Sequence, residues 1–165
     1  MKRLVYFMLV GAFLFGCSNR TPEQKANELL SNFHLKVGDV SKLDSIVGYK
    51  EAFEKRLKAD SINLAIDSFV SELVKTLSAL QIMGLEHKVD SLARSAKSSA
   101  LAMAQEALRL NNDASSIEFN NGIDNKPKEF LGYRFVSRND SCVYEIYFDT
   151  HVTQILGYSR QNKKK

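Results

Sequence analysis

The sequence predicts an α+β fold in which a helical hairpin and an N-terminal helix pack on a small C-terminal antiparallel three-stranded sheet. Apolar residues recur every three or four positions up to about residue 110, which is the spacing of amphipathic helices. Between residues 130 and 158 the spacing changes to two, which is the spacing of strands. We therefore predict a single domain over 21–159, helical over 21–110 and a β-meander over 128–159.

The first sixteen residues have the composition of a secretory signal peptide. Lys2 and Arg3 precede an apolar run that begins at Leu4 and ends at Gly16. A membrane-spanning helix needs about 20 apolar residues, so this run is too short for a stable span but suits a signal peptide over 1–16. The alternative is a buried N-terminal helix followed by an incidental cysteine.

The end of this run, Leu14-Phe15-Gly16-Cys17, resembles a bacterial lipobox. The resemblance implies cleavage after Gly16 and acyl chains on Cys17, so that residues 17–20 form a lipidated anchor and short linker. Two or more acyl chains hold a protein lastingly in a bilayer. We therefore expect the lipid bilayer to be a partner of this protein through acylated Cys17.

A first helix is predicted to begin directly after the anchor. Thr21 is a suitable N-cap, Pro22 suits the first helical turn, and Gln24 completes a capping box. Apolar residues follow at helical spacing as far as Val37, and Gly38 ends the pattern. Residues 39–48 have mixed periodicity and are predicted to be a loop, with at most a brief extended piece at 45–47.

Two longer helices are predicted to form the hairpin. A one-sided apolar stripe extends from Lys50 to Met83, and Gly84 interrupts it. From Leu85 to Leu110 apolar and small residues alternate at spacings of four and three. We expect these two stripes to face each other within one chain, while the alternative is a seam that recruits a partner helix or a second copy. Asn, Asp and Ser at 111–116 are expected to end the helical half.

Three strands are predicted for the meander, at Phe130–Val136, Cys142–Phe148 and Thr153–Tyr158, with a turn at 139–141. An isolated meander is marginally stable, so one face should lie on the helices. Candidates for that face are Tyr133, Phe135, Tyr144, Ile146, Phe148 and Ile155.

Cys142 lies in this strand-like sequence, and acylation of Cys17 would leave it without a disulfide partner. A free cysteine among apolar residues usually behaves as a small buried hydrophobe. The alternative is a reactive thiol, for which the neighbouring sequence supplies no basic residue or histidine.

Composition excludes two classes of protein. Apolar residues make up 44% and charged residues 25%, which is ordinary for a globular chain and excludes a wholly disordered one. The formal charge of +4 falls by two when Lys2 and Arg3 leave, and the tail 160–165 holds three of the remaining lysines. The folded body therefore has no basic face of the kind that nucleic acid requires. We expect 160–165 to be a basic, flexible tail that aids solubility or touches anionic lipid.

No catalytic, cofactor-binding or metal-binding residue is predicted. The three histidines, His34, His87 and His151, lie far apart in the sequence and lack zinc-ligand spacing. Phosphate-binding glycine loops and nucleophile motifs are absent. Acidic residues on the helices, such as Asp60 and Asp67, have the spacing of a solvated face.

Two segments carry a family resemblance. Residues 128–158 contain Phe130-Leu131-Gly132-Tyr133, Tyr147-Phe148-Asp149 and Gly157-Tyr158, and residues 26–53 contain Lys42-Leu43-Asp44-Ser45 after the first helix. These are similar to the strand block and opening helix of uncharacterised small lipoproteins of Gram-negative Bacteroidetes, although the connection between the first two strands is shorter here. The resemblance implies the fold and the cell envelope, but no activity. Surface-displayed lipoproteins of this phylum carry early acidic residues, whereas the first acid here is Glu23, which implies the periplasmic face of the outer membrane.

Together these features predict a non-enzymatic, membrane-anchored envelope lipoprotein that binds or scaffolds a protein or glycan partner. One alternative is a hydrolase of cell-wall or glycan substrates that uses an unrecognised carboxylate pair. The other is a structural protein that self-assembles through the 85–110 seam.

Overall fold

A computed structural model describes residues 20–33, 37–139 and 141–163. The predicted signal peptide 1–16, Cys17, His34 and the last two lysines lie outside the described residues. Seven elements follow in chain order: α1 (Pro22–Ser31), β1 (Asp44–Gly48), α2 (Lys50–Ile82), α3 (Glu86–Ile123), β2 (Glu129–Arg138), β3 (Cys142–Phe148) and β4 (Ile155–Asn162). The α+β class is confirmed. None of the helices in the described ranges has the length and apolarity needed to cross a membrane.

The sheet has four strands in the order β1-β2-β3-β4, all antiparallel, so the prediction of a three-stranded sheet is wrong. The additional strand is β1, which falls in the stretch predicted to be a loop. Its pairing with β2 explains the error, because Ser45 lies opposite Tyr133 and Ile46 opposite Gly132, far along the chain. A strand of five residues that contains Ser and Gly has weak local propensity, and only its distant partner fixes it.

The helices lie on both faces of the sheet rather than in the single layer that the sequence analysis expected. On one face α1 contributes Ala26 and Leu30 to a cluster with Ile146 and Phe148. On the opposite face α2 contacts Tyr147, whose ring meets the Phe53 ring edge-on with the ring centroids 5.8 Å apart. Centroid distances of about 4.5–7 Å are usual for such pairs. Because side chains alternate along a strand, Ile146 and Tyr147 must point to opposite faces. The sheet is therefore the middle layer of three.

The residues predicted for the packed face do share one face. All six belong to the cluster under α1, either buried or packed against its buried members, and they are Tyr133, Phe135, Tyr144, Ile146, Phe148 and Ile155. The period-two pattern identified the face correctly, and the helix that covers it is α1 rather than the hairpin.

The hairpin turns at Gly84, whose φ of 68° favours glycine, as the sequence predicted. Its seam lies within the chain: Ala59 of α2 packs against Ala107 and Leu110 of α3. The use of this seam by a second copy, one of the alternatives above, would compete with these contacts.

The prediction that residues 111–116 end the helical half is wrong, because α3 continues to Ile123. The hydroxyls of Ser115 and Ser116 donate hydrogen bonds to the carbonyls four residues earlier, so their side chains do not compete for the helix amides. Ala114 is fully buried, and Arg56 of α2 binds Glu118. Tertiary contacts thus stabilise a segment whose intrinsic preference is for turns.

The segments that flank the sheet are fixed by specific hydrogen bonds. The predicted capping box of α1 is present, although α1 ends at Ser31 rather than continuing to Val37. The Asn27 amide side chain binds both backbone groups of Val40, at 2.8 and 3.1 Å. At the other end of the chain β4 extends to Asn162, so residues 160–162, predicted to be part of a flexible tail, pair with β3.

Candidate functional site

A cleft of about 420 Å³ lies between the sheet and the helical hairpin. Both apolar and polar side chains line it. Phe53, Leu57 and Leu131 are among the apolar ones, and Arg56, Arg134 and Tyr147 are among the polar ones. Ligand pockets in proteins are usually about 300–1,000 Å³ and combine an apolar lining with a few polar groups, so both the size and the lining suit a binding site.

Helical and strand spacing together position these side chains. Phe53, Arg56, Leu57 and Asp60 occupy positions i, i+3, i+4 and i+7, which places them on one face of α2. On the sheet, Arg134 lies directly opposite Tyr147 in the β2–β3 register. Alternation along the strands directs these two side chains away from α1 and toward α2.

Two arginines that line the cleft hold carboxylates from other elements. The Arg56 guanidinium donates to both carboxylate oxygens of Glu118 on α3, at 3.2 and 2.6 Å. Arg134 lies 3.8 Å from Asp44 of β1 and 3.9 Å from Glu145 of β3. A bidentate arginine–carboxylate pair fixes geometry as well as charge, so the Arg56–Glu118 pair sets the spacing of α2 and α3 beside the cleft.

Deeper along α2 two carboxylates converge on one tyrosine. The Tyr147 hydroxyl donates to Glu145 at 3.0 Å. Burial, followed by this hydrogen bond, raises the pKa of Tyr147 to about 12. Burial and the nearby Glu145 carboxylate raise the pKa of Asp60 above its ordinary value, and Arg56 acts in the opposite direction. A second cavity of about 300 Å³ shares Asp60 and Tyr147 with the cleft, so the two cavities meet at this group.

These residues were not selected by the sequence analysis. Asp60 was predicted to be part of a solvated face, but it lies half-buried over the sheet, whereas Asp67 is exposed. Glu145 is the one member of this group that a sequence pattern could have indicated. It is a charged residue among the aromatic and β-branched residues of β3, at a position that faces away from the α1 cluster. The pairing partners Arg56 and Glu118 lie on different helices, and no local pattern connects them.

The residues that the sequence analysis did single out are dispersed. His87 lies at the start of α3 and His151 in the β3–β4 turn, and both are exposed. Among the described residues no group of three or more His, Cys, Asp and Glu side chains could hold a metal ion. Cys17 lies outside the described residues, so lipid attachment stays a prediction.

Cys142 is free and buried. Its thiol lies 3.2 Å from the Asn139 side-chain oxygen. Burial raises the pKa of Cys142, but hydrogen bonding with Tyr144 and the positive charge of Arg160 outweigh it, so the net change is a decrease. The sequence neighbours of Cys142 gave no such group, because Arg160 approaches from β4.

Comparisons with protein-family models, with curated proteins and with solved structures give no match to this chain.

Proposed function

We propose that this protein is a lipid-anchored envelope protein of the periplasmic face of the outer membrane, and that it binds part of a protein or glycan partner in the cleft beside α2. The cleft supports the proposal of binding, because its volume and its combination of apolar side chains with polar groups are those of ligand-binding sites. The lipobox-like sequence ending at Cys17 carries the proposal of an anchor.

The anchor would hold the domain close to the bilayer. α1 begins at Pro22, and an extended chain spans at most about 3.6 Å per residue. Cys17 would therefore lie within about 18 Å of the first helical turn. A partner for such a protein must reach the membrane surface, which suits another envelope component better than a freely diffusing metabolite.

The anchor is tested by metabolic labelling with a clickable palmitate analogue. We expect label in the wild-type protein and in the Cys142→Ser variant, and none in Cys17→Ser, which should move to the soluble periplasmic fraction. Cys142→Ser is the matched control because it removes the other cysteine. Label that persists in Cys17→Ser would contradict an anchor at this residue.

The cleft is tested in cells with a photo-crosslinking phenylalanine derivative. Tyr49 lines the cleft, and Phe119 lies on α3 with its side chain 68% exposed. We expect the derivative at position 49 to give a discrete adduct and the derivative at position 119 to give none. Equal labelling at both positions, or no adduct at position 49, would remove the proposal that the cleft is the binding site.

The convergence of Asp60 and Glu145 keeps one enzymatic candidate open, a glycan or cell-wall hydrolase. Glycosidases use two carboxylates, of which the general acid has a raised pKa, and Asp60 has a raised pKa next to a second carboxylate. Incubation of the purified protein with cell-wall fragments should then release reducing ends, and both Asp60→Asn and Glu145→Gln should abolish the release. Release that survives both substitutions, or no release by the wild type, would exclude this candidate.

A further inference from the structure

β1 is the open edge of the sheet. It lies at one end of the strand order and pairs only with β2. Within the described residues, no hydrogen bond other than those to β2 involves the backbone of Asp44–Gly48. An edge strand presents a row of outward N–H and C=O groups that another extended chain can pair with.

The two edges of the sheet differ in how they are protected. β4 ends in Ser159-Arg160-Gln161-Asn162, and polar or charged residues of this kind discourage pairing with another strand. β1 has no charged residue after Asp44. Its Val47 is 58% exposed, and Phe130, which lies opposite Val47 in the register, is also exposed. The open edge is therefore flanked by an exposed apolar pair.

The cleft follows this edge. Five consecutive residues, from Ser45 to Tyr49, line it. Because strand side chains point alternately to opposite faces, consecutive residues can all line a cavity only where the strand presents its backbone. Asn111 and Glu118 of α3 also line it. The cleft thus lies over the sheet, reaches the backbone of the edge strand β1 and borders α3.

From this arrangement we infer that an extended peptide segment of a partner protein pairs with β1 as a fifth strand and inserts one side chain into the cleft. This inference rests on the binding function proposed above and names the class of its ligand. Backbone pairing supplies affinity in such complexes, and pockets for alternate side chains supply specificity. A glycan has no regular row of amide donors and carbonyl acceptors to match this edge.

The residues that line the cleft determine which side chains of such a peptide would fit. Phe53, Leu57 and Leu131 line it with apolar side chains, while Arg56 is already paired with Glu118. An apolar side chain therefore fits the cleft better than a charged one. The next residue of the peptide points to the opposite face, beside Val47 and Phe130. The expected motif is two adjacent apolar residues in a segment without proline, since proline lacks the donor that the pairing needs.

The test uses the full chain purified in detergent and a random heptapeptide phage library. We expect enrichment of peptides with adjacent apolar residues and without proline. Val47→Lys places a charge on the edge, and we expect it to weaken binding of the selected synthetic peptides at least tenfold, measured by fluorescence anisotropy. Val74→Lys on α2 is the matched control, because Val74 is 57% exposed, and binding should stay within twofold of wild type.

Three results would overturn the inference. The selected peptides could bind the Val47→Lys variant and the wild type with equal affinity, which would show that they do not bind at the β1 edge. The edge could instead be taken by a second copy, in which case the wild type would be a dimer and Val47→Lys a monomer. An oligosaccharide array could give binding sensitive to the Arg56→Ala substitution while no peptide is enriched. In the last case the adduct at position 49 would persist, so the binding function would stand and only the ligand class would fail.

Discussion

Phe148 and Tyr147 are neighbours in β3, yet they lie on opposite faces of the sheet and in different surroundings. Phe148 is fully buried in an apolar cluster with Ile146 and the residues of α1. Tyr147 is half-buried, donates a hydrogen bond to Glu145 and lines the cleft under α2. One face therefore resembles the core of a small domain, and the other resembles a binding site.

The difference between the faces follows from what the buried residues of each covering helix contact. Both buried residues of α1, Ala26 and Leu30, belong to the cluster with Ile146 and Phe148 of the sheet. α2 packs on both α3 and the sheet, and its buried Ala59 serves the contact with α3. Polar residues such as Arg56 and Asp60 are then left at the boundary with the sheet. We conclude that stability depends mainly on the α1 face and that binding would depend on the α2 face.

The largest expected effect comes from Gly132→Ala, which disrupts both faces at once. Gly132 has a φ of 142°, and a Cβ atom there would lie 2.1 Å from the Phe148 carbonyl oxygen, so β2 and β3 would have to separate. We expect the free energy of unfolding to fall by about 4 kcal/mol, at the upper end of single substitutions. Urea denaturation followed by circular dichroism measures it.

Gly122→Ala is the control for this substitution. Gly122 lies in α3 with open space around its Cβ position, so alanine should raise stability by about 0.5–1 kcal/mol. Equal effects of the two substitutions would show that the close approach of β2 to β3 is not what requires glycine at 132.

The next largest loss of stability is expected from a substitution that disrupts only the α1 face. Phe148→Ala removes a fully buried ring from the cluster, and large-to-small changes at such sites cost about 3–5 kcal/mol. Phe119→Ala, at an exposed position on α3, should change the free energy of unfolding by less than about 0.5 kcal/mol. A loss below about 1 kcal/mol for Phe148→Ala would contradict the assignment of this face as the main core.

A face could be predicted from the sequence where a local pattern marks its residues, and could not where contacts between distant residues form it. Six sheet residues of the α1 face were predicted as candidates, because the alternation in β2 and β3 is a local pattern. Val40 and Val152, which complete the cluster from connecting segments, were not. The cleft was not predicted, because it is built from pairs that are distant in sequence: Arg56 with Glu118, and Arg134 with Asp44. For the same reason β1 was predicted as no more than a brief extended piece at 45–47, since its pairing partner β2 is distant in sequence. The extension of α3 beyond residue 116 also depends on contacts with α2 rather than on propensity.

Asp60→Asn, on the α2 face, should raise the free energy of unfolding, by less than Gly132→Ala and Phe148→Ala lower it. The folded pKa of Asp60 is raised, so ionisation of Asp60 destabilises the folded state. The cost is absent below the unfolded pKa of about 3.9 and develops as the pH rises through the folded pKa. At pH 7 the variant should be more stable than wild type by about 0.5 kcal/mol, and near pH 4 the two should converge.

Asp149→Asn gives the control for this pH dependence. Burial opposes ionisation of Asp149, but hydrogen bonds from the backbone amides of Gln154, Thr153 and His151 outweigh it and lower its pKa. Its contribution is therefore favourable at neutral pH and is lost as the pH falls through the folded pKa. At pH 7 the urea midpoint should be higher than that of the wild type for Asp60→Asn and lower for Asp149→Asn. The Asp60→Asn difference should disappear as the pH falls to about 4, whereas the Asp149→Asn difference should persist at pH 4 and shrink only as the pH falls further. Differences of the same sign at pH 7 would refute the assigned environments.

Tyr147→Phe should have only a small effect on stability, and it distinguishes the two faces by its effect on binding. The substitution keeps the ring that meets Phe53 and removes the hydroxyl bound to Glu145, which should cost no more than about 1 kcal/mol. The tyrosine that titrates near a pKa of about 12 should disappear from the ultraviolet titration. If the α2 face is a binding surface, affinity for the selected peptides should fall severalfold although the fold stays intact, since Tyr147 lines the cleft and the variant lacks its hydroxyl. Phe148→Ala, one residue away, should lower stability, but the molecules that remain folded should bind the peptides with the affinity of the wild type. If Phe148→Ala instead lowered affinity and Tyr147→Phe lowered only stability, the α1 face would be the binding surface and the α2 face the main core.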